Sequence, residues 1–352
     1  MEERKSNDDL IKNSLLKKIN FEKYSNKCSY KISKSLLLSL FIKICISIFL
    51  FINIIIINKQ SIASTFSTNN KNMETEIYLD KYETDIYNNI KSKIIGFPCK
   101  SMWFNQREFI NGVVRRFRPK KIVEIGVEEG CASSIILNAI QDLDDSHLYS
   151  IDLNDKDTIG KCVRILFPNL MSKWTLYKGN IATKFMENIG RDIDMVLIDS
   201  AHFEPGEILD FIIVLPFLKK GAVILMHDIA NQITVASKSR GWMKGRNEWA
   251  PYIIFNAIRG KIYLPSGKNL LTHDIGAKKL DINQNQYFHD YFRVLGGQWQ
   301  YFPKEEYIQE MYEYFKKYYD NDCLNIFNET VNFNRKFVKI NKKKNLYTKN
   351  SN

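Results

Sequence analysis

Six side chains able to titrate or to hold a cation share a kind of position in this chain. Glu124, Asp152, Asp199, His202, His227 and Asp228 each lie at or just beyond the end of a short apolar run. Carboxylates beside imidazoles suit three tasks: moving a proton, holding a divalent cation and accepting hydrogen bonds from hydroxyls. Around the first of them the chain reads KIVEIGVEEGCASS, Lys121–Ser134, with Gly126 and Gly130 bracketing a tight turn. A strand, a glycine loop and a helix N-terminus are how α/β proteins hold a nucleotide-like ligand. The spacing E-x-G-x-x-x-G differs from the G-x-G-x-x-G of dinucleotide binders and points to a different cofactor.

The elements that must position these residues follow from the hydrophobic pattern. Short apolar strands are expected at Lys121–Ile125, Leu148–Ile151, Trp174–Lys178, Met195–Ile198 and Ala222–Met226. Helices are expected between them, near Ser133–Ile140, Asp157–Phe167, Ala182–Ile189 and Pro205–Leu215, with Lys219-Lys220-Gly221 as a turn. Such alternation means a parallel sheet with crossover helices, and ligands sit at the carboxyl ends of its strands. The six groups then fall at one sheet edge. Alone, each has a plainer reading: an aspartate at a strand end is usually a cap, and a single histidine is usually structural. Their co-location favours a site. Asp152, about twenty residues past the glycine loop, suits a bidentate grip on ribose hydroxyls, and Asn180 stands where an adenine edge would lie.

The run from Lys121 to Asp228 resembles a class I S-adenosylmethionine-dependent methyltransferase. VEIGVEEGCASS matches that family's first motif and YSIDLND its second. DMVLIDSAHFEPGEILDFIIVLPFLKKGAVILMHDI resembles the branch containing cephalosporin-hydroxylase-like and sugar O-methyltransferases. That branch carries D-x-x-H after strand four and an acidic pair after strand five. The resemblance implies a Rossmann-like α/β sheet flanked by helices. It implies Glu124, Gly126 and Gly130 around the methionine part of S-adenosylmethionine, and Asp152 on the ribose. It also implies a divalent ion, usually magnesium, at Asp199, Asp228 and the position of His227. A histidine at that last position departs from the family's carboxylate, and magnesium prefers oxygen ligands, so a softer ion or none is expected. His202 is the expected general base, a neutral imidazole taking the proton of an acceptor hydroxyl. The acceptor is a small molecule or a glycan. Two other readings compete: a nicotinamide-dependent oxidoreductase and a non-catalytic membrane-tethered module.

Ser35–Ile57 reads SLLLSLFIKICISIFLFINIIII, about long enough to cross a bilayer as a helix. A single-pass membrane protein is therefore expected. Lys17, Lys18, Lys23, Lys27, Lys31 and Lys34 precede this run, which by the positive-inside rule leaves the N-terminus in the cytosol. That orientation conflicts with a cofactor made in the cytosol. The expected order is a basic tail (1–34), the span (35–57), a linker and helix (58–95), the methyltransferase domain (96–330) and a basic, solvated tail (331–352). The net charge of +12 gathers largely at the two ends, so nucleic acid is not the partner this pattern favours. Six cysteines without a C-x-x-C pair argue against a zinc ribbon and a disulfide framework.

Overall fold

Ile122 and Val123 are neighbours in sequence and both fully buried, yet they belong to two separate apolar cores. The same split recurs at Met195 and Val196 and at Val223 and Ile224. Side chains alternate sides along a strand, so strands apolar at every position must be covered on both faces. The computed structural model, which describes residues 78–95, 102, 104–230, 249–266 and 274–349, has that architecture.

Helices α1 (Thr84–Ile95) and α2 (Phe104–Phe117) lead into β1 (Lys121–Ile125), α3 (Cys131–Ala139) and β2 (His147–Asp152). Then come α4 (Lys161–Leu166), β3 (Trp174–Lys178), α5 (Met186–Ile189), β4 (Ile193–Ile198), α6 (Gly206–Val214) and β5 (Leu218–His227). The described chain ends with α7 (Ala250–Ala257), β6 (Gly260–Tyr263), β7 (Ile275–Leu280), α8 (Phe288–Val294), α9 (Glu305–Tyr318) and α10 (Asn321–Lys349).

The sheet order is β3-β2-β1-β4-β5-β7-β6. Strands β1 to β5 pair in parallel, and β7 runs antiparallel to both β5 and β6. Dinucleotide-binding folds run 3-2-1-4-5-6 in parallel. The reversed strand between β5 and β6 sets this sheet apart and weighs against the nicotinamide reading. The chain builds outward from β1 to β3, then crosses back to β4 on the other side of β1. The carboxyl ends of β1 and β4 are thus the switch point, where open α/β sheets bind ligands.

Several expectations change at the ends of the domain. The apolar run Ser35–Ile57 and residues 58–77 of the expected linker and helix lie outside the described residues. Among the described residues, no helix is long and apolar enough to cross a membrane. From Tyr78 on, the helix expected within 58–95 is a 3₁₀ turn, Leu79–Lys81, followed by α1, because Glu83 between them takes a left-handed φ of 45°. Tyr87 and Ile90 of α1 are core residues, so this helix packs with the domain and not with a linker. The segment 331–352, expected as a solvated tail, continues α10 to Lys349, with Val331, Asn334 and Val338 buried. Strand β5 includes Lys219-Lys220-Gly221, read from sequence as a turn. Gly221 at φ 72° and a register shift between Ile193 and Met195 accommodate it as an irregularity. Strands β6 and β7 escaped the sequence reading. IGAKKL reads as polar, yet Lys278 is buried, its Nζ donating to the Ile258 carbonyl at 2.7 Å over the Phe255 ring. Burial lowers its pKa to about 8.

Candidate active site

The turn after β1 touches the end of β4. Gly126 takes φ 90°, and its amide donates to the Ile151 carbonyl at 2.9 Å. A Cβ on Gly126 would lie 1.9 Å from the Asp199 carbonyl oxygen, and the Asp199 amide donates to Ile125 at 2.9 Å. Only glycine allows this approach. Gly130, at φ 87°, precedes α3 and faces Gly160, whose Cα is 2.9 Å from where a Cβ would be. Its role is to let two loops pack, and it does not line the cavity described below.

Glu124 is also behind the cavity wall. It is fully buried, and its Oε2 accepts hydrogen bonds from Ser133 Oγ at 2.6 Å and Ser150 Oγ at 2.5 Å. It ties β1, α3 and β2 together, and burial raises its pKa to about 7. Asp152 does line the cavity. Its Oδ2 accepts from the amides of Val127 and Glu128, both at 3.0 Å, and its Oδ1 from Asn154 at 2.8 Å. A carboxylate offers about four acceptor sites. Three are taken, so the bidentate grip expected from sequence reduces to one position on Oδ1. Asn180 lines the same cavity, its Oδ1 accepting the Ile181 amide at 2.9 Å.

At the ends of β4 and β5 the carboxylates and imidazoles converge. Donor atoms of Asp199, His202 and Asp228 all lie within 4.8 Å of one another. His202 Nε2 is 3.1 Å from Asp228 Oδ2, and its Nδ1 is 3.2 Å from Glu207 Oε1. Burial alone would lower the His202 pKa, but the hydrogen bond to Glu207 and the charges of Asp228, Glu207 and Asp199 outweigh it, raising it to about 10. This surrounding negative charge favours a proton on the ring, against the neutral imidazole expected from sequence. His227 Nδ1 stands 3.4 Å from Asp199 Oδ1 and from Asp228 Oδ2. These are ion-pair contacts without hydrogen-bond alignment, and neither ring nitrogen of His227 has a hydrogen-bond partner. Asp228 sits at φ 55°, a conformation that costs energy and tends to mark functional positions.

One cavity of about 1020 Å³ joins the two groups. It runs from Asp152 and Asn180 past Gly126 to Asp199, His202, His227 and Asp228, and Tyr301 and Tyr307 form part of its wall. Two functional candidates went unnoticed in the sequence. Glu207 is fully buried on α6, accepting from the Ser200 amide at 3.0 Å as well as from His202. Asp210, one turn on, lines the cavity and accepts Ser200 Oγ at 2.6 Å, and burial raises its pKa to about 6. Two acids within the otherwise apolar GEILDFIIV were the available signal.

Residues 123–229 match the sequence pattern of a methyltransferase domain family. The chain carries a methyltransferase domain. The match covers every site residue singled out from the sequence, from Glu124 to Asp228, and stops just past β5. Tyr301 and Tyr307 lie outside it, so this part of the cavity wall comes from the segment before α9 and from α9 itself.

No curated protein matches the chain in sequence. Among solved structures, the O-methyltransferase TomG from Streptomyces achromogenes, in complex with SAM, is 15% identical, covering 62% of this chain and 96% of that one at a TM-score of 0.40. An O-methyltransferase from Bacillus cereus, in complex with SAH, is 15% identical, covering 62% and 97% at 0.40. The SAH-bound methyltransferase PaMTH1 from Podospora anserina is 14% identical, covering 64% and 96% at 0.40. At that identity and score, no activity carries across from them.

The residues present fit a divalent ion. Two carboxylates and an imidazole converge, and the buried His227 ring makes ion-pair contacts with both carboxylates. With nitrogen in the donor set, the site suits ions that accept imidazole better than it suits magnesium. The grouping differs from the sequence expectation in its histidine: His202 joins the convergent set and His227 flanks it.

Proposed function

We propose that this protein is an S-adenosylmethionine-dependent O-methyltransferase acting on a hydroxyl of a small molecule or glycan. The observation that carries this reading is the single cavity joining Asp152 and the glycine loop to the Asp199–His202–Asp228 cluster. Across it, the Gly126–Asp199 contact sets the cofactor side against the acceptor side. Asp152 Oδ1 would accept a ribose hydroxyl. The N-terminus of α3 would face the methionine carboxylate, with its dipole favouring negative charge. Glu128, Asp152, Asp199, Asp210 and Asp228 give the cavity an acidic lining, which suits a cationic sulfonium and a neutral acceptor.

Methyl transfer to oxygen needs the hydroxyl proton removed as the oxygen attacks, with donor and acceptor held in line. A bound divalent ion would lower the pKa of a hydroxyl directed at Asp199 and Asp228. His202 accepts a proton only from the state in which Nε2 carries none. The Gly126 turn lets the loop after β1 pack against the end of β4, because a side chain there would meet the Asp199 backbone. The apolar run Ser35–Ile57 supports a membrane tether, which favours an acceptor held at a membrane, such as a lipid-linked glycan.

Calorimetric titration with S-adenosylmethionine tests the reading. Micromolar binding, weakened by Asp152→Ala, is expected. Methyl transfer from labelled cofactor to a panel of sugars and catechols then identifies the acceptor class. A protein that does not bind the cofactor removes this function.

A further inference from the structure

We infer that His202 is a cation ligand, held in that role by Glu207, in a site that prefers imidazole-accepting ions such as Mn2+ over Mg2+. This rests on the reading above that the ends of β4 and β5 form the reaction centre.

Three observations carry it. The first is convergence. A metal with bonds of about 2.1 Å holds its ligand atoms about 3 to 4 Å apart. The donor atoms of Asp199, His202 and Asp228 lie within 4.8 Å of one another, and His202 Nε2 is 3.1 Å from Asp228 Oδ2. The second is the partner behind the ring. Metal-ligating histidines present their other nitrogen to a carboxylate or carbonyl, which fixes the ring and its tautomer. Here Nδ1 faces Glu207 Oε1 at 3.2 Å, and that oxygen is itself held by the Ser200 amide at 3.0 Å. Glu207 is fully buried, and a buried carboxylate is costly unless a specific partner compensates it. Its two partners are the chain segment that carries Asp199 and the ring that faces Asp228.

The third observation concerns the second histidine beside the same carboxylates. His227 is 6% exposed, and neither of its ring nitrogens has a hydrogen-bond partner. Buried polar groups are nearly always paired, and exceptions call for an explanation. Its Nδ1 is equidistant, at 3.4 Å, from one oxygen of Asp199 and one of Asp228. The ring is thus held by ion-pair contacts beside both carboxylates, next to the place an ion shared by them would occupy.

The assignment changes what His202 does. Its Nε2 has one lone pair. Given to an ion, that pair is not available to a proton, so His202 sets the strength of the ion's hold in place of acting as base. Glu207 is then a positioning residue. Two oxygens and a nitrogen suit Mn2+, Co2+ or Zn2+, whereas Mg2+ prefers an all-oxygen shell.

The test uses the full-length protein, with Mn2+ and Mg2+ as probes and S-adenosylmethionine calorimetry as a check of folding. Wild-type protein should bind Mn2+ more tightly than Mg2+. Glu207→Gln keeps the shape and should weaken Mn2+ about 10- to 100-fold while cofactor binding persists. Pulsed EPR of the Mn2+ form should show nitrogen coupling that disappears in His202→Asn, and this measurement decides if Glu207→Gln fails to fold. Unchanged Mn2+ affinity in folded Glu207→Gln, equal affinity for Mg2+, or coupling that survives His202→Asn would overturn the inference. So would a protein that binds the cofactor but no ion. Ion binding without cofactor binding would instead remove the methyltransferase reading and leave this site standing.

Discussion

The Oδ2 atom of Asp152 lies 3.0 Å from the backbone nitrogen of Val127, so the residue at the end of β2 shapes the loop at the end of β1. In the proposed function, cofactor grip and loop geometry share one carboxylate. Asp152→Ala should lose both. Hydrogen bonds to a charged group contribute about 1.5–3 kcal/mol each, and each 1.4 kcal/mol is tenfold in affinity. Cofactor affinity should fall at least tenfold, and urea denaturation should show a stability loss of about 1–3 kcal/mol. Asp152→Asn, which keeps one acceptor oxygen, should fall between.

The two loop glycines should differ in tolerance. Alanine at 126 places a methyl 1.9 Å from the Asp199 carbonyl, backbone against backbone. Alanine at 130 meets the Gly160 Cα at 2.9 Å, a backbone contact less severe than at 126 that the two loops must part to relieve. Both pay the left-handed penalty of about 1–2 kcal/mol. Gly130→Ala should fold with reduced stability, and Gly126→Ala should lose cofactor binding or fail to fold. Thermal melts with and without S-adenosylmethionine separate the two outcomes.

Glu124 should make stability depend on pH. Its folded pKa is about 7, above an unfolded value of 4.5. Below pH 4.5 the carboxyl is protonated in both states and its hydrogen bonds to Ser133 and Ser150 carry no charge penalty. As pH rises to 7 the unfolded chain ionises first, and stability is lost. Between pH 4.5 and 7 the wild type should lose about 3 kcal/mol relative to Glu124→Gln. Parallel denaturation curves for the two proteins across that window measure it; curves with the same pH slope would refute the assignment.

Asp228 combines an αL backbone with a side chain facing two histidines. Asparagine tolerates that backbone by local hydrogen bonding, and alanine does not. Asp228→Asn should be about 1 kcal/mol more stable than Asp228→Ala in urea denaturation, although both lose the charge at the cluster. Asp228→Gly should relieve the backbone strain and lose the charge as well.

The parallel half of the sheet was legible because its strands are buried on both faces and read as unbroken apolar runs. Strands β1 and β3 have the boundaries the sequence suggests. The glycine loop and the acids at the strand ends were legible for a related reason, since polar residues closing apolar runs stand out. Strand β7 was not, because its lysine is accommodated by a carbonyl and an aromatic ring contributed from α7 and the residue after it, a tertiary arrangement that local pattern does not encode. Glu207 was hidden similarly. In sequence it is an acid in the first turn of a helix, and only the fold turns it toward His202. The upward shift of the His202 pKa comes from three carboxylates on three segments, which residue type alone does not encode.

The antiparallel pairing of β7 with β5 bears on how this enzyme can be handled as a fragment. The stretch that matches the methyltransferase pattern ends at residue 229, before β7 begins. A protein cut there would leave the backbone of Val223–His227 as a bare, apolar sheet margin. Such margins recruit other chains. Material expressed as 123–229 alone should self-associate, and the smallest soluble catalytic piece should extend from the 3₁₀ turn at Leu79 through Val338.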